Sequence, residues 1–408
     1  MLTFNDLTFE KNNETNTVAV TLYNLFYFEI PFSELDILGS WQIQKNGIAV
    51  KGLEDNKLRT KFLYLVEKYI SNLKNKLNNN SVVYINSSSG IPLIGLQFIG
   101  IVDKGSEMIE MRPLTSCNMN CTFCSVDEGP DSRKQVDMVV EKDYLVSELK
   151  KLLHFKYKTE QNKANIWINP QGEPFLYAPL LELCHDINEM PQVKEIHIIT
   201  NGTFLNKNNI DKLSELKKVQ LNVSISGFDP EKAREMMGMK SYNVEHVLKQ
   251  VKYAAEKMNT PENLRVTVTP VYVKGKNEKE MFSLIQFCKE NNCKIQIQKF
   301  TINKFGRNPI KEQSWEDFFE ELKQFQNKTE YPLITKLGKI EQTPQLPKPF
   351  KKGESIEVEI KALGRMKKDR IGTAKERAVL ILNCDKDKGK IKVKLIQSKY
   401  NLFIGVAV

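Results

Sequence analysis

Met108-Ile-Glu-Met-Arg-Pro-Leu-Thr-Ser-Cys117-Asn-Met-Asn-Cys121-Thr-Phe-Cys124 is the stretch on which the reading of this chain turns. Ile109 to Arg112 alternate apolar and polar residues like a half-buried strand. Three cysteines follow, with gaps of three and then two residues. Thiolates so close on one loop suit three irons of a single cluster, since iron–sulfur clusters are held by cysteine. Three ligands for four irons would leave one iron open to a small molecule. A structural zinc site would want a fourth Cys or His nearby, and the nearest His is His154.

Downstream of the cysteines the pattern becomes regular. Strand-like runs at 166–169, 196–200, 221–226, 264–269 and 295–300 join the one at 109–112. Helical stretches intervene at 141–154, 178–189, 208–216, 244–257 and 278–291. Six strands alternating with helices predict an α/β fold, a parallel sheet or partial (β/α)6 barrel over 106–330, a span that also takes in a further helix at 315–327. Chemistry in such folds sits at the carboxyl ends of the strands. Upstream, 1–105 read as a small α+β domain of unknown role, with strands at 17–23, 41–43 and 81–85 and one amphipathic helix at 57–77. Residues 331–349 hold four prolines and read as a linker. Over 350–408 the hydrophobic period becomes two, with glycines between short runs, which predicts a small C-terminal β-barrel.

Composition bounds the function. The chain has 408 residues, 41% apolar and 27% charged, a globular mixture that excludes disorder and coiled coil. Its longest apolar stretch, 91–102, is too short and too polar to span a bilayer. No basic flank and apolar run opens the chain, so the expectation is a cytoplasmic protein without a membrane partner. Seven unevenly spread cysteines do not make a disulfide framework. Cys184, Cys288 and Cys293 read as buried structural thiols. His185, His197 and His246 are isolated and read as structural or surface residues. From Gln345 onward sixteen basic residues face seven acidic ones, so nine of the ten net positive charges lie in this last part. Charge concentrated in one terminal module predicts a polyanionic partner.

The cysteine spacing, with Phe123 before the last Cys, directly after a strand and ahead of six βα units, resembles the radical SAM superfamily. The resemblance covers roughly 108–300. It implies one 4Fe–4S cluster on Cys117, Cys121 and Cys124, with S-adenosylmethionine chelated to the open iron. One electron then cleaves the sulfonium, and the 5′-deoxyadenosyl radical so formed abstracts hydrogen from substrate. Asn169-Pro-Gln-Gly172-Glu173-Pro, at the end of the next strand, is similar to the family's Gly-Gly-Glu-Pro motif, with Gln171 in place of the first Gly. It implies that Gly172 lets backbone approach the cofactor and that Glu173 pairs with its ammonium group. Asn201, Ser224 and Arg234 fall where family members contact the cofactor. No cysteine precedes Cys117, and none clusters after the sheet, so one cluster is expected.

The basic module resembles a TRAM domain, a small RNA-binding β-barrel attached to several tRNA-modifying enzymes. Arg365, Lys367, Lys368 and Arg370 crowd one loop, and Lys390, Lys392 and Lys394 share a strand face. Cations so grouped displace counterions from a phosphate backbone without reading sequence. Phe350, Tyr400 and Phe403 are its few aromatics for stacking. The expectation is an enzyme that modifies RNA, tRNA foremost, and draws electrons from an unidentified donor. Two alternatives stay open: modification of a peptide or protein side chain, and a non-catalytic RNA-binding redox sensor.

Overall fold

The computed structural model describes residues 2–158, 163–334 and 338–408. Its central sheet runs, from edge to edge, Lys294–Ile295, Val266–Val268, Val219–Val223, Val193–Thr200, Ala164–Ile168, Met108–Arg112 and Gly100–Asp103. The first six are parallel and stand in chain order. The last is antiparallel to its neighbour. Parallel neighbours need crossovers, and helices Leu180–Asn188, Lys207–Glu215, Val244–Met258 and Glu278–Glu290 supply four of them.

The two faces of this sheet differ because side chains alternate along each strand. Ile109, Met111, Ile166, Ile168, Ile196, Ile198, Val219, Leu221 and Val266 are sealed from water on one face. The other face carries Glu110, Arg112, Trp167, His197, Gln220, Asn222 and Thr267, and several of these stay half-exposed.

The first crossover is unusual. Between Arg112 and helix Lys142–Lys156 the chain leaves the central sheet, forms the cysteine loop, and lays strand Val136–Val140 parallel to Ser81–Ile85. That strand closes a second sheet, in the order Val136–Val140, Ser81–Ile85, Lys74–Asn75, Phe26–Pro31, Thr17–Leu22 and Leu7–Asn12. Its pairing is missing from the sequence reading, since Val136-Asp-Met-Val-Val is short and follows a polar loop. The N-terminal helix is shorter than the period suggests. It covers Asp55–Tyr69, and a 3-10 turn and strand Lys74–Asn75 replace the rest. One hydrophobic core runs without a break through this N-terminal sheet and the central sheet.

The C-terminal barrel is closed, in the order Ser355–Leu363, Arg370–Ala374, Arg377–Leu382, Ile404–Ala407 and Gly389–Gln397, back to the first. Its own core holds Phe350 and Phe403, packed edge to face at 5.5 Å. These two rings are therefore unavailable for stacking on a ligand. Part of the proline-rich stretch lies outside the described residues. The rest of it is docked rather than free: Thr343 N donates to Gly105 O at 3.0 Å, and Gln342 bridges to Ser106.

Candidate active site

The cysteine loop begins at the carboxyl end of Met108–Arg112, where parallel α/β folds place their chemistry. The thiols of Cys117, Cys121 and Cys124 are free and half-buried. Burial pushes the Cys121 thiol up to about 12, with Cys124 adding and Arg307 opposing. Cys117 is also raised well above the ordinary thiol value, by burial and then by Cys121. Two backbone amides point at sulfur: Met119 N at 3.5 Å from Cys117 Sγ and Glu128 N at 3.4 Å from Cys124 Sγ. Such N–H groups stabilise a thiolate, and iron in place of the protons would offset the burial.

Three distant segments fix the loop. Glu173 N donates to Ser116 O at 2.9 Å, and a Cβ on Gly172 would lie 1.9 Å from that oxygen, so only glycine fits. Asn120 N and Thr122 N donate to Met237 O and Met236 O at 3.1 and 3.0 Å, at the end of helix Pro230–Met237. Arg307 wraps the third side. Its backbone N–H donates to Cys124 O at 2.7 Å, Nη1 to Cys121 O at 3.2 Å, Nη2 to Glu128 O at 3.1 Å, and Nε to Asp127 Oδ1 at 2.9 Å.

Glu173 is almost fully buried and ties two strand ends together. Oε1 accepts from Thr200 Oγ1 at 2.6 Å and Phe175 N at 3.1 Å, while Oε2 accepts from Asn201 N at 2.8 Å. Burial lifts its carboxyl to about 7 despite these three bonds. Asn201 Nδ2 donates to Asn118 Oδ1 at 2.9 Å, which links the third strand to the residue after Cys117. Ser224 stands half-exposed on the same side, its backbone N–H bonded to Thr200 O at 2.8 Å. Ser226, by contrast, is buried and its hydroxyl accepts from Val271 N at 3.1 Å, a structural role. Arg234 lines a pocket of about 250 Å³ with Lys240, Ser241 and Tyr242.

Tyr242 and Arg307 are absent from the sequence reading. The Tyr242 ring is buried, its hydroxyl lacks a partner among the described residues, and its ionisation is disfavoured by burial, then by Cys121 and Glu173. A buried hydroxyl without a partner among the described residues, and within electrostatic reach of Cys121 and Glu173, suits a polar small molecule bound near the cysteine loop. No local signal marks either residue; both reach the loop only through the fold.

The basic module requires corrections. Arg365 is buried, not solvent-facing. Its Nη1 and Nη2 meet both oxygens of Glu128, the latter at 2.8 Å, and Nη2 lies 3.4 Å from Asp137 Oδ1. Arg370 is buried too, and donates to Lys386 O at 3.0 Å and Asp387 Oδ1 at 2.7 Å. Neither guanidinium can reach phosphate, because both are spent inside the protein. Lys367 and Lys368 remain exposed, the latter 3.1 Å from Asp385. Lys390, Lys392 and Lys394 do share an outer face, yet Lys390 and Lys392 stand opposite Glu359 and Glu357 across the strand pair. Lys390 is paired with Glu357 at 3.0 Å, so part of that face is neutralised.

A model of the radical SAM superfamily matches residues 111–288. An uncharacterized protein of Methanocaldococcus jannaschii is 30% identical over 97% of this chain and 96% of its own. The GTP 3′,8-cyclase of Listeria monocytogenes is 25% identical over 48% of this chain and 54% of its own length, about half of each. Among solved structures, Streptococcus suis SuiB bound to S-adenosylmethionine aligns with a TM-score of 0.42 and 15% identity, covering 82% of this chain and 72% of that one.

Proposed function

The chain belongs to the radical SAM superfamily, which works with a 4Fe–4S cluster and S-adenosylmethionine, and from that premise we propose that it modifies RNA, with a tRNA nucleoside as the foremost target. In this reading Cys117, Cys121 and Cys124 hold the cluster, and the six βα units form a partial barrel whose polar face lines the interior. When bound, the two groups together supply a carbon-centred radical that takes hydrogen from substrate. The protein's part is to hold and shield. Gly172 brings backbone to the loop, Glu173 offers its remaining lone pair to an ammonium group, and the Tyr242 hydroxyl, Ser224 and Asn201 offer hydrogen bonds. Arg307 covers the loop carbonyls and keeps water from that side. Arg234 lies in reach of an anionic group from the adjoining pocket.

The observation that carries the RNA assignment is the anchoring of the basic loop. Arg365 O accepts from Gln135 N at 3.0 Å, and the Arg365 guanidinium grips Glu128, four residues after Cys124. Lys367 and Lys368 follow at once in the chain. A phosphate backbone held there lies beside the cysteine loop. The barrel's strand order, with its parallel third and fifth strands, is that of five-stranded Greek-key barrels that bind oligonucleotides. The Listeria relatives are named for a reaction on GTP, which supports a nucleotide-type substrate. The test is 5′-deoxyadenosine formation by the anaerobically reconstituted, reduced protein. Stimulation by unmodified tRNA is expected; indifference to any RNA would overturn the RNA assignment.

A second reading rests on one observation. Ile302, Phe305, Trp315 and Phe319 are exposed on the segment that carries Arg307. Apolar groups gathered beside a site suit a protein partner, either a peptide substrate or the electron donor. Product formation that needs a polypeptide rather than RNA would favour it.

A further inference from the structure

The polar face of the central sheet holds more unmet hydrogen-bonding capacity than any other part of the described structure. Glu110, Trp167, His197 and Gln220 stand in one row across four strands. Asn222 and Thr267 stand in the next row toward the cysteine loop. By alternation, Asn201, Ser224 and Thr269 continue the same face to its cluster end. Eight buried side-chain nitrogen or oxygen atoms lack a partner among the described residues, and four belong to this face: Arg112 Nε, Asn165 Oδ1, Trp167 Nε1 and Asn222 Nδ2. Arg112 and Asn222 are each 7% exposed. Native proteins rarely leave such groups unpaired without a ligand or water to meet them.

The set has a chemical bias. Its three members nearest the loop are all N–H donors, one of them on a guanidinium. Arg112 is held in place from its other side, Nη1 donating to Gln97 O and Nη2 to Glu110. Beside these donors Trp167 and His197 stack at 4.0 Å with an interplanar angle of 6°, and both rings are half-exposed. A flat aromatic pair suits a planar ring. Donors around it suit carbonyl, ring-nitrogen and phosphate oxygen acceptors. Peptide side chains combine those properties poorly; a nucleotide combines all of them.

We propose that this face is a nucleotide subsite, the base lying against the Trp167–His197 pair and its acceptors or phosphate oxygens meeting Arg112, Trp167 and Asn222. This deepens the RNA reading by naming where the reacting nucleoside rests, and it leans on that reading only for the reaction, not for the binding. The nucleotide comes either free or within an RNA strand, and both present the same chemistry to these residues.

Equilibrium dialysis of the reconstituted full-length protein, with GTP and separately with a mixed-sequence single-stranded RNA, tests it. At least one probe should bind, and Asn222→Asp and Trp167→Leu should each weaken that binding at least tenfold. Asn222→Asp is near-isosteric and replaces the donor by a carboxylate, so it keeps the test sound if Trp167→Leu folds poorly; cluster absorbance and circular dichroism check both. Binding of GTP that both variants weaken supports a free nucleotide, and binding of RNA alone that both variants weaken supports a strand. Binding of neither probe, or binding that both variants leave intact, overturns the subsite. The two readings separate cleanly. If RNA stimulates 5′-deoxyadenosine formation but the variants bind it normally, the subsite falls and the RNA reading stands. If GTP binding is lost in the variants but no RNA stimulates turnover, the RNA reading falls and the subsite stands.

Discussion

Glu173 braces two strand ends and, in the proposed function, also meets the cofactor's ammonium group. Its carboxyl sits near 7 because burial outweighs three hydrogen bonds. A folded value above the ordinary 4.5 means the folded protein binds the extra proton between those limits, so this group lowers stability as pH rises through that window. An ammonium partner reverses the preference by favouring the ionised form. S-adenosylmethionine affinity of the reconstituted protein is therefore expected to weaken as pH falls below about 7, and Glu173→Gln to remove the dependence and cost on the order of tenfold. A slope that persists in the variant would assign it elsewhere. Gly172→Ala is expected to block cluster loading, because its methyl would overlap Ser116 O. Iron content and cluster absorbance of the purified variant measure this. At this scale the sequence was readable where chemistry is local: three cysteines within eight residues, and a Gly-Glu turn at a strand end. Arg307 and Tyr242 lie more than a hundred residues from the cysteines they approach, and no short-range pattern marks them.

Among the elements, the loop between Leu363 and Arg370 was misread for a physical reason. Clustered Arg and Lys look alike in a sequence, but Arg presents a rigid fork that two carboxylates can bury, and here Glu128 and Asp137 do so. Buried and exposed cations then differ sharply in what they contribute. Arg365→Met leaves Glu128 buried with only Lys134 as partner, 2.7 Å away, and is expected to destabilise the protein by about 3–5 kcal/mol in chemical denaturation. Lys390→Met removes a pair exposed on both sides and is expected to leave the denaturation midpoint essentially unchanged. Equal losses would refute the distinction. Strand and helix positions along the central sheet were legible because an apolar face recurs in its parallel strands and four helical crossovers follow one another at regular spacing. Strand Val136–Val140 was not, since its partner Ser81–Ile85 lies in another sheet and pairing leaves no mark within five residues.

For the whole molecule, the barrel is less detachable than its separate core suggests. Ile371 and Ala378 belong to the main core, and Ala378 N and Phe403 N donate to Ile94 O and Gly95 O, each at 2.9 Å. Removing 350–408 would uncover that contact and strand Glu128. The truncated protein is expected to lose cluster binding along with RNA affinity, measured by iron content and filter binding. A truncation that keeps its cluster would show the barrel to be an accessory. In the intact protein, RNA affinity is expected to fall steeply with salt, through Lys367 and Lys368 rather than the lysines of strand Gly389–Gln397.

The strand that the cysteine loop hands to the N-terminal sheet also sets an order in time. As the chain emerges from the ribosome, that sheet lacks an edge until residues about fifty positions beyond Ser81–Ile85 have been made. The cysteines, twelve or more residues nearer the N-terminus than strand Val136–Val140, emerge just ahead of it. The loop is thus drawn taut between two sheets at nearly one moment, so an iron donor meets either a slack tether or a finished cradle. Shuffling by recombination is constrained for the same cause: an N-terminal domain moved to another member of the superfamily would arrive without one of its own strands.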